Sequence, residues 1–242
     1  MSIKVIVCEN YEDMSRRAAS VLAKQIKENP CTVLGLATGS TPLGMYAELG
    51  RLHREEGLDF SRVVTYNLDE YYPISPENDQ SYRYFMNKNL FSLINIPLSS
   101  THVPFGGAED ADKECADYDR AIEAAGGIDL QVLGIGVNGH IGFNEPDDAL
   151  IAATHKTPLT ESTVDANSRF FANRDEVPRH ALTMGMAPIL QAKKIVMLIT
   201  GANKREALSV LLSGKITTDC PASLLNLHKD TIVFCDKEAY GK

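Results

Sequence analysis

Short β-rich runs alternate with amphipathic helical stretches from one end of this chain to the other, and that alternation narrows the possible folds more than any other feature. The runs VLGLA (33–37) and QVLGIG (131–136) lack the in/out alternation of a half-buried strand, so they are read as strands buried on both faces. The same reading predicts strands over 3–7, 32–37, 62–66, 129–135, 193–200 and 231–235. It predicts helices over 12–28, from a turn at 38–42 through Leu52, and over 82–93, 109–125 and 204–212. In the first of these, Ala18, Val21, Leu22 and Ile26 form one apolar face. Strand, crossover helix, strand is the pattern of an α/β fold, here a modified Rossmann-like three-layer sandwich with a mostly parallel central sheet. Such sheets hold ligands beyond the carboxyl ends of their strands, near the switch in strand order. The loops that follow strands are therefore where chemistry is expected.

A chain of 242 residues fits one large domain, taken here as 1–242, with an irregular stretch over 155–178 as a possible mobile lid. Acidic residues outnumber basic ones by 32 to 24, and the net charge of -8 argues against a nucleic-acid or anionic-membrane surface. A local pocket for one small anion is compatible with that balance. The five cysteines, Cys8, Cys31, Cys115, Cys220 and Cys235, are odd in number and form no close pair, which excludes a zinc ribbon or redox motif. The amino end turns acidic and polar within ten residues, and no apolar run approaches ~18 residues. A reduced cytoplasm is the expected compartment.

Four loops carry candidate chemistry. Thr38, Gly39, Ser40 and Thr41 follow the second strand; Thr41 is a natural N-cap before Pro42, and small residues let backbone N–H groups approach an anion. An ordinary helix start would look the same. The stretch Thr200-Gly201-Ala202-Asn203-Lys204 repeats that style, with Lys204 as a mobile positive charge, and Arg169 could clamp a phosphate in two-pronged fashion. Each cation alone reads equally as a solvated surface residue. Asp69 and Glu70 close the third strand, where the sheet edge opens onto the crevice, and are candidates for proton transfer. The run Gly134 to Pro146 has four glycines in nine residues, so a tight, close-approach loop is implied. Its G-x-G-x-x-G match falls partly inside the strand and opens no helix, which argues against a dinucleotide cofactor. His140 and Glu145 in this loop could form an acid/base pair, and the other histidines show no metal-ligand spacing.

The runs LGLATGSTP, VVTYNLDEYY, LGIGVNGHIGFNEP, ANSRFF and ALTMG, in this order, resemble the glucosamine-6-phosphate deaminase family across essentially the whole chain. The resemblance implies conversion of glucosamine 6-phosphate and water to fructose 6-phosphate and ammonium, with neither metal nor cofactor. It implies that Asp69 is the base, that His140 opens the sugar ring, and that Glu145 supports His140. Thr38, Gly39, Ser40, Thr41, Arg169 and Lys204 match the phosphate-binding positions. Asn138 stands where better-known members carry Asp; it can orient His140 but supplies no charge, so the charged part of the relay falls mainly on Glu145. The allosteric branch has a longer carboxyl end and basic residues near 155–158, so neither its activation by N-acetylglucosamine 6-phosphate nor its hexamer is expected here. The implied partner is a small sugar phosphate, with the oligomeric state left between monomer and small homo-oligomer. A related sugar-phosphate isomerase, a 6-phosphogluconolactonase, or a non-catalytic sugar-phosphate sensor are the rival readings.

Overall fold

The computed structural model of the chain describes residues 3–161, 164, 165, 171 and 173–241. In chain order its first half comprises β1 (Lys4–Cys8), α1 (Tyr11–Glu28), β2 (Val33–Leu36), α2 (Leu43–Glu56), β3 (Val64–Asn67), β4 (Asp69–Tyr72), α3 (Tyr82–Asn89), β5 (Thr101–His102) and α4 (Ala111–Ala124). There follow β6 (Leu130–Leu133), β7 (His155–Pro158), β8 (His180–Thr183), α5 (Met186–Gln191), β9 (Lys194–Ile199), α6 (Arg205–Leu212), β10 (Thr231–Asp236) and α7 (Lys237–Tyr240). Asn10 caps α1 by accepting from the Asp13 N–H at 2.9 Å, and Met14, Ala18, Leu22 and Ile26 then recur on the buried side.

The central sheet runs β1-β10-β9-β6-β2-β3-β5, with every neighbouring pair parallel. All four residues of β2 and of β6 are buried, as expected of strands covered on both faces. From β2 the chain proceeds outward to β3 and β5, whereas from β6 it proceeds the opposite way to β9 and β10. The switch point lies between β2 and β6, so their outgoing loops diverge and leave a crevice at the sheet's centre.

Asp129, just before β6, stitches this centre together. Its Oδ2 accepts from the Val33 N–H at 2.8 Å and the Thr32 hydroxyl at 3.1 Å, and its Oδ1 accepts from Lys193 Nζ at 2.7 Å.

A second sheet, antiparallel in the order β4-β8-β7, was not anticipated from sequence. The residues of β4 are DEYY, expected as a loop at a strand end, and those of β7 are HKTP with alternate positions exposed. Neither carries an apolar pattern. What makes them strands is pairing to β8, a non-local contact that no window along the chain reveals. The helix expected over 82–93 stops at Asn89 and resumes as a 3₁₀ turn over Phe91–Leu93, because Leu90 leaves helical dihedral space.

Removing the Asp129 carboxylate strands a buried backbone N–H and a buried hydroxyl. Asp129→Ala should lower unfolding free energy by about 3 kcal/mol in urea titration, and an unchanged midpoint would show that this stitch is unimportant.

Candidate active site

The loops leaving β2, β3 and β6, with Leu198 of β9, enclose a cleft of about 450 Å³ at the carboxyl edge of the central sheet. Thr38, Gly39, Ser40 and Thr41 line it from the first loop, Asp69 from β4, and Asn138, His140 and Glu145 from the glycine-rich loop after β6. Segments about 100 residues apart in sequence thus converge on one space.

Asp69 is the first residue of β4, opposite Thr183 of β8, and is 6% exposed. Among the described residues nothing donates a hydrogen bond to its carboxyl. Burial pushes its pKa up to about 8, with the neighbouring Glu70 carboxyl adding to the shift. An acid placed this way holds its proton far more tightly than a surface aspartate and, once deprotonated, is a correspondingly stronger base. Gly142 makes room for it: a Cβ there would lie 3.3 Å from Asp69 Oδ2 and 2.9 Å from Thr183 Oγ1, at a φ of +59° that already favours glycine.

His140 sits against Gly136 so closely that a Cβ on that glycine would come within 2.3 Å of the imidazole ring. Its Nδ1 lies 3.2 Å from Glu145 Oε2, the same oxygen that accepts from Asn138 Nδ2 at 2.7 Å. Asn138 Oδ1 in turn receives the His140 backbone N–H at 3.3 Å. The three residues form one unit with a single carboxylate at its hub. When Glu145 is ionised and the ring neutral, Nδ1 carries the hydrogen and Nε2 the lone pair, the state a proton shuttle needs. The amide at position 138 does what an acid could not: it donates to Glu145, whereas a second carboxylate 2.7 Å from the first would repel it or take up a proton.

Thr41 does not cap α2 as the sequence suggested. The helix begins at Leu43 with Pro42 in the cap position and no side-chain cap bond. Tyr11 of α1 takes over that work, its hydroxyl accepting from the Gly44 N–H at 2.8 Å and donating to the Ser40 carbonyl at 3.0 Å. Among the described residues no acceptor engages the N–H groups of Gly39, Ser40 or Thr41, which leaves them for an anion in the cleft.

The second loop behaves differently. Its Gly201 N–H is already engaged by the Asp236 carboxylate at 3.0 and 3.2 Å. Lys204 ends the 3₁₀ turn Ala202–Lys204 beyond β9, at the same sheet edge, but its side chain is not among those lining the cleft. Burial lowers its pKa, and no carboxylate pairs with it among the described residues. Arg169 lies outside the described residues.

Sequence reasoning missed Tyr82, which also lines the cleft. Its ring is stacked parallel to Phe143 at 6.2 Å and tilted against Tyr71 at 4.9 Å. No local signal marks it, because this wall is assembled from β4, α3 and the glycine-rich loop together. Among the described residues no group of three His, Cys, Asp or Glu side chains is placed to hold a metal ion, and no helix is long and apolar enough to cross a membrane.

The fold and cleft define an α/β enzyme whose candidate site lies at the switch point of a doubly covered parallel sheet. Comparison with known proteins makes the assignment specific. The profile of the family Glucosamine-6-phosphate isomerases/6-phosphogluconolactonase matches residues 9–234, and the chain belongs to that family. It is 55% identical over 237 residues to a glucosamine-6-phosphate deaminase of Thermoanaerobacter sp. (strain X514), covering 98% of this chain and 94% of the relative. It is 54% identical to one of Clostridium perfringens (strain 13 / Type A), covering 98% of each. A solved monomeric glucosamine-6-phosphate deaminase superposes with a TM-score of 0.96 at 46% identity over 99% of both chains. A 6-phosphogluconolactonase from Leishmania guyanensis shares the fold alone, with a TM-score of 0.75 at 21% identity.

The buried Asp69 has a consequence for stability. Between its ordinary value of 3.8 and about 8, the folded chain keeps a proton on Asp69 that the unfolded chain has released. Folding stability therefore falls as pH rises through that window. Asp69→Asn removes the loss, so the variant's stability relative to wild type should climb from pH 5 to 8 and level off above. Urea midpoints taken across that range test it, and a pH-independent difference would contradict the buried, uncompensated acid.

Proposed function

We propose that this chain converts glucosamine 6-phosphate and water to fructose 6-phosphate and ammonium, as its closely similar relatives are named for doing. The observation that carries the reading is Asp69, buried, among the described residues, without a counter-charge, in the same cleft as the His140–Glu145 pair and the N–H groups of the first loop. The phosphate is held by Gly39, Ser40 and Thr41 N–H groups, with Arg169 and Lys204 adding charge. His140 takes the proton of the anomeric hydroxyl and returns one to the ring oxygen, which exposes the aldehyde; Glu145 stabilises the transient imidazolium. Asp69 then removes the proton at C2 and delivers it to C1, while a proton passes from the amine nitrogen to the aldehyde oxygen, leaving a hydroxyl at C1 and an imine at C2. Water adds to that carbon and the C–N bond breaks, releasing ammonia, which is protonated to ammonium.

One acid serves both carbons because they are bonded neighbours presented to the same face. Its raised proton affinity suits abstraction from carbon, for which an ordinary carboxylate is a weak base. The segment over 155–178, of which residues 162, 163, 166–170 and 172 lie outside the described residues, is the proposed cover in this reading. Its first strand, β7, is anchored to β8, and Phe171 packs edge-on against Tyr71 at 6.0 Å, next to the aromatic wall of the cleft. We place the enzyme in a reducing cytoplasm, consistent with five free thiols, as a monomer or small homo-oligomer.

Release of ammonia from glucosamine 6-phosphate is the direct test, and a folded protein that releases none refutes the reading. Asp69→Asn should lower kcat by about 10²–10⁴-fold with little change in KM, and the wild-type kcat/KM should rise with pH up to about 8 as the base loses its proton. Lys204→Ala should act on KM instead, raising it about 10- to 100-fold for the loss of one charge-assisted bond; an unchanged KM would remove Lys204 from the phosphate site.

A further inference from the structure

Glu70 is 1% exposed, next to Asp69 in β4, and the cleft does not include it. Successive strand residues point to opposite faces. Asp69 faces the cleft, while Glu70 turns back toward the start of α3. There its Oε1 accepts from the N–H groups of Tyr71 at 2.9 Å and Tyr82 at 2.8 Å, and its Oε2 accepts from the Arg83 N–H at 3.0 Å. Ser81 takes the Tyr84 N–H at 3.0 Å, so the first turn of α3 is satisfied between the two residues. A carboxylate at this end of a helix is favoured by both the free N–H groups and the helix dipole.

The charge so placed is not quenched by an ion pair. The Arg83 guanidinium turns away to Thr101, bonding its hydroxyl and its carbonyl at 2.8 Å each. The other groups facing the pair are few. From β8 the opposite residues are Thr183 and Leu182, which carry no charge. Tyr71, Tyr82 and Tyr118 contribute phenols that burial keeps protonated. His140 and Glu145 share the cleft with Asp69 from the far loop. Among the described residues Asp69 itself has neither a donor nor a cation. Burial raises Glu70 to about 7 and Asp69 to about 8, with the three N–H donors keeping Glu70 the lower of the two; Glu70 thus loses its proton first, and a negative charge then sits directly behind the base.

We propose that Glu70 is a positioning residue for the reaction: ionised and locked to the start of α3, it makes Asp69 hold the transferred proton tightly enough to carry it from one carbon to the next. This rests on the function proposed above, but the coupling of the two acids does not. Burial alone already raises Asp69, and the Glu70 charge supplies the adjustable remainder. Glu70 never touches the substrate; its effect passes through Asp69.

The test is the pH profile of Glu70→Gln, which keeps the shape of the side chain and removes its charge. The rising limb of kcat/KM should move about one pH unit toward acid, with KM for glucosamine 6-phosphate unchanged; a folded variant whose limb stays in place overturns the proposal. If Glu70→Gln does not fold, ¹³C-carboxyl NMR of the wild type decides, because the charge must already be on Glu70 when Asp69 ionises. The Glu70 carboxyl should lose its proton at lower pH than the Asp69 carboxyl, and the reverse order overturns the proposal. Absence of ammonia release from the wild type would refute the function, while the NMR titration would still read the order of ionisation by itself.

Discussion

A carboxyl group held almost wholly out of water is the constraint to which the rest of this molecule is fitted. Leaving Asp69 out of water disfavours its charged form, and a protein keeps such a group only where the surrounding structure holds it in place. Here that structure is the small antiparallel sheet. β4 pairs with β8 across Asp69 and Thr183, Gly142 gives the carboxyl its space, and Glu70 on the opposite side of the same strand anchors α3. Residues that look like a solvated acidic pair in sequence are two acids with separate environments and separate work.

The glycine-rich loop shows a complementary solution. The charge that Asp69 lacks is concentrated around Glu145, where Asn138 and His140 converge on one oxygen. His140 is held from behind by the backbone at Gly136, which admits the ring only because it has no side chain. A single carboxylate with an amide donor keeps the histidine oriented without placing two negative charges in contact. The cleft therefore contains one acid that burial makes reluctant to ionise and one on which an amide and an imidazole converge, an arrangement that suits the proposed division between base and orienter.

The anion loop depends on tertiary support of a different kind. Tyr11, near the start of the chain, bridges Ser40 and Gly44 through one hydroxyl and so shapes the turn between β2 and α2. The loop's own N–H groups then remain unengaged among the described residues. The superficially similar loop after β9 has lost that freedom to Asp236 and can offer only its lysine.

Much of the architecture was legible in the residues themselves, because each strand of a doubly covered parallel sheet must be apolar nearly throughout and each crossover helix must show one apolar face. The long runs at 33–37, 131–136 and 193–200 announce themselves that way, and the motifs after them locate Thr38, Asp69, His140 and Glu145. β4 and β7 escaped notice since DEYY and HKTP become strands through partners more than 20 residues away, and the capping role of Glu70 escaped because the helix it caps begins across an irregular loop, with its N–H groups at Tyr82 and Arg83. The order of elements is local information carried by periodicity, and the candidate reactive groups are local information carried by residue chemistry and motif. The proton affinity of Asp69, the shared oxygen of Glu145 and the turning of Glu70 into a helix anchor belong to the folded chain alone. Burial, pairing and charge separation are distances between segments, and no sequence of side chains has those until the sheet has brought its edges together.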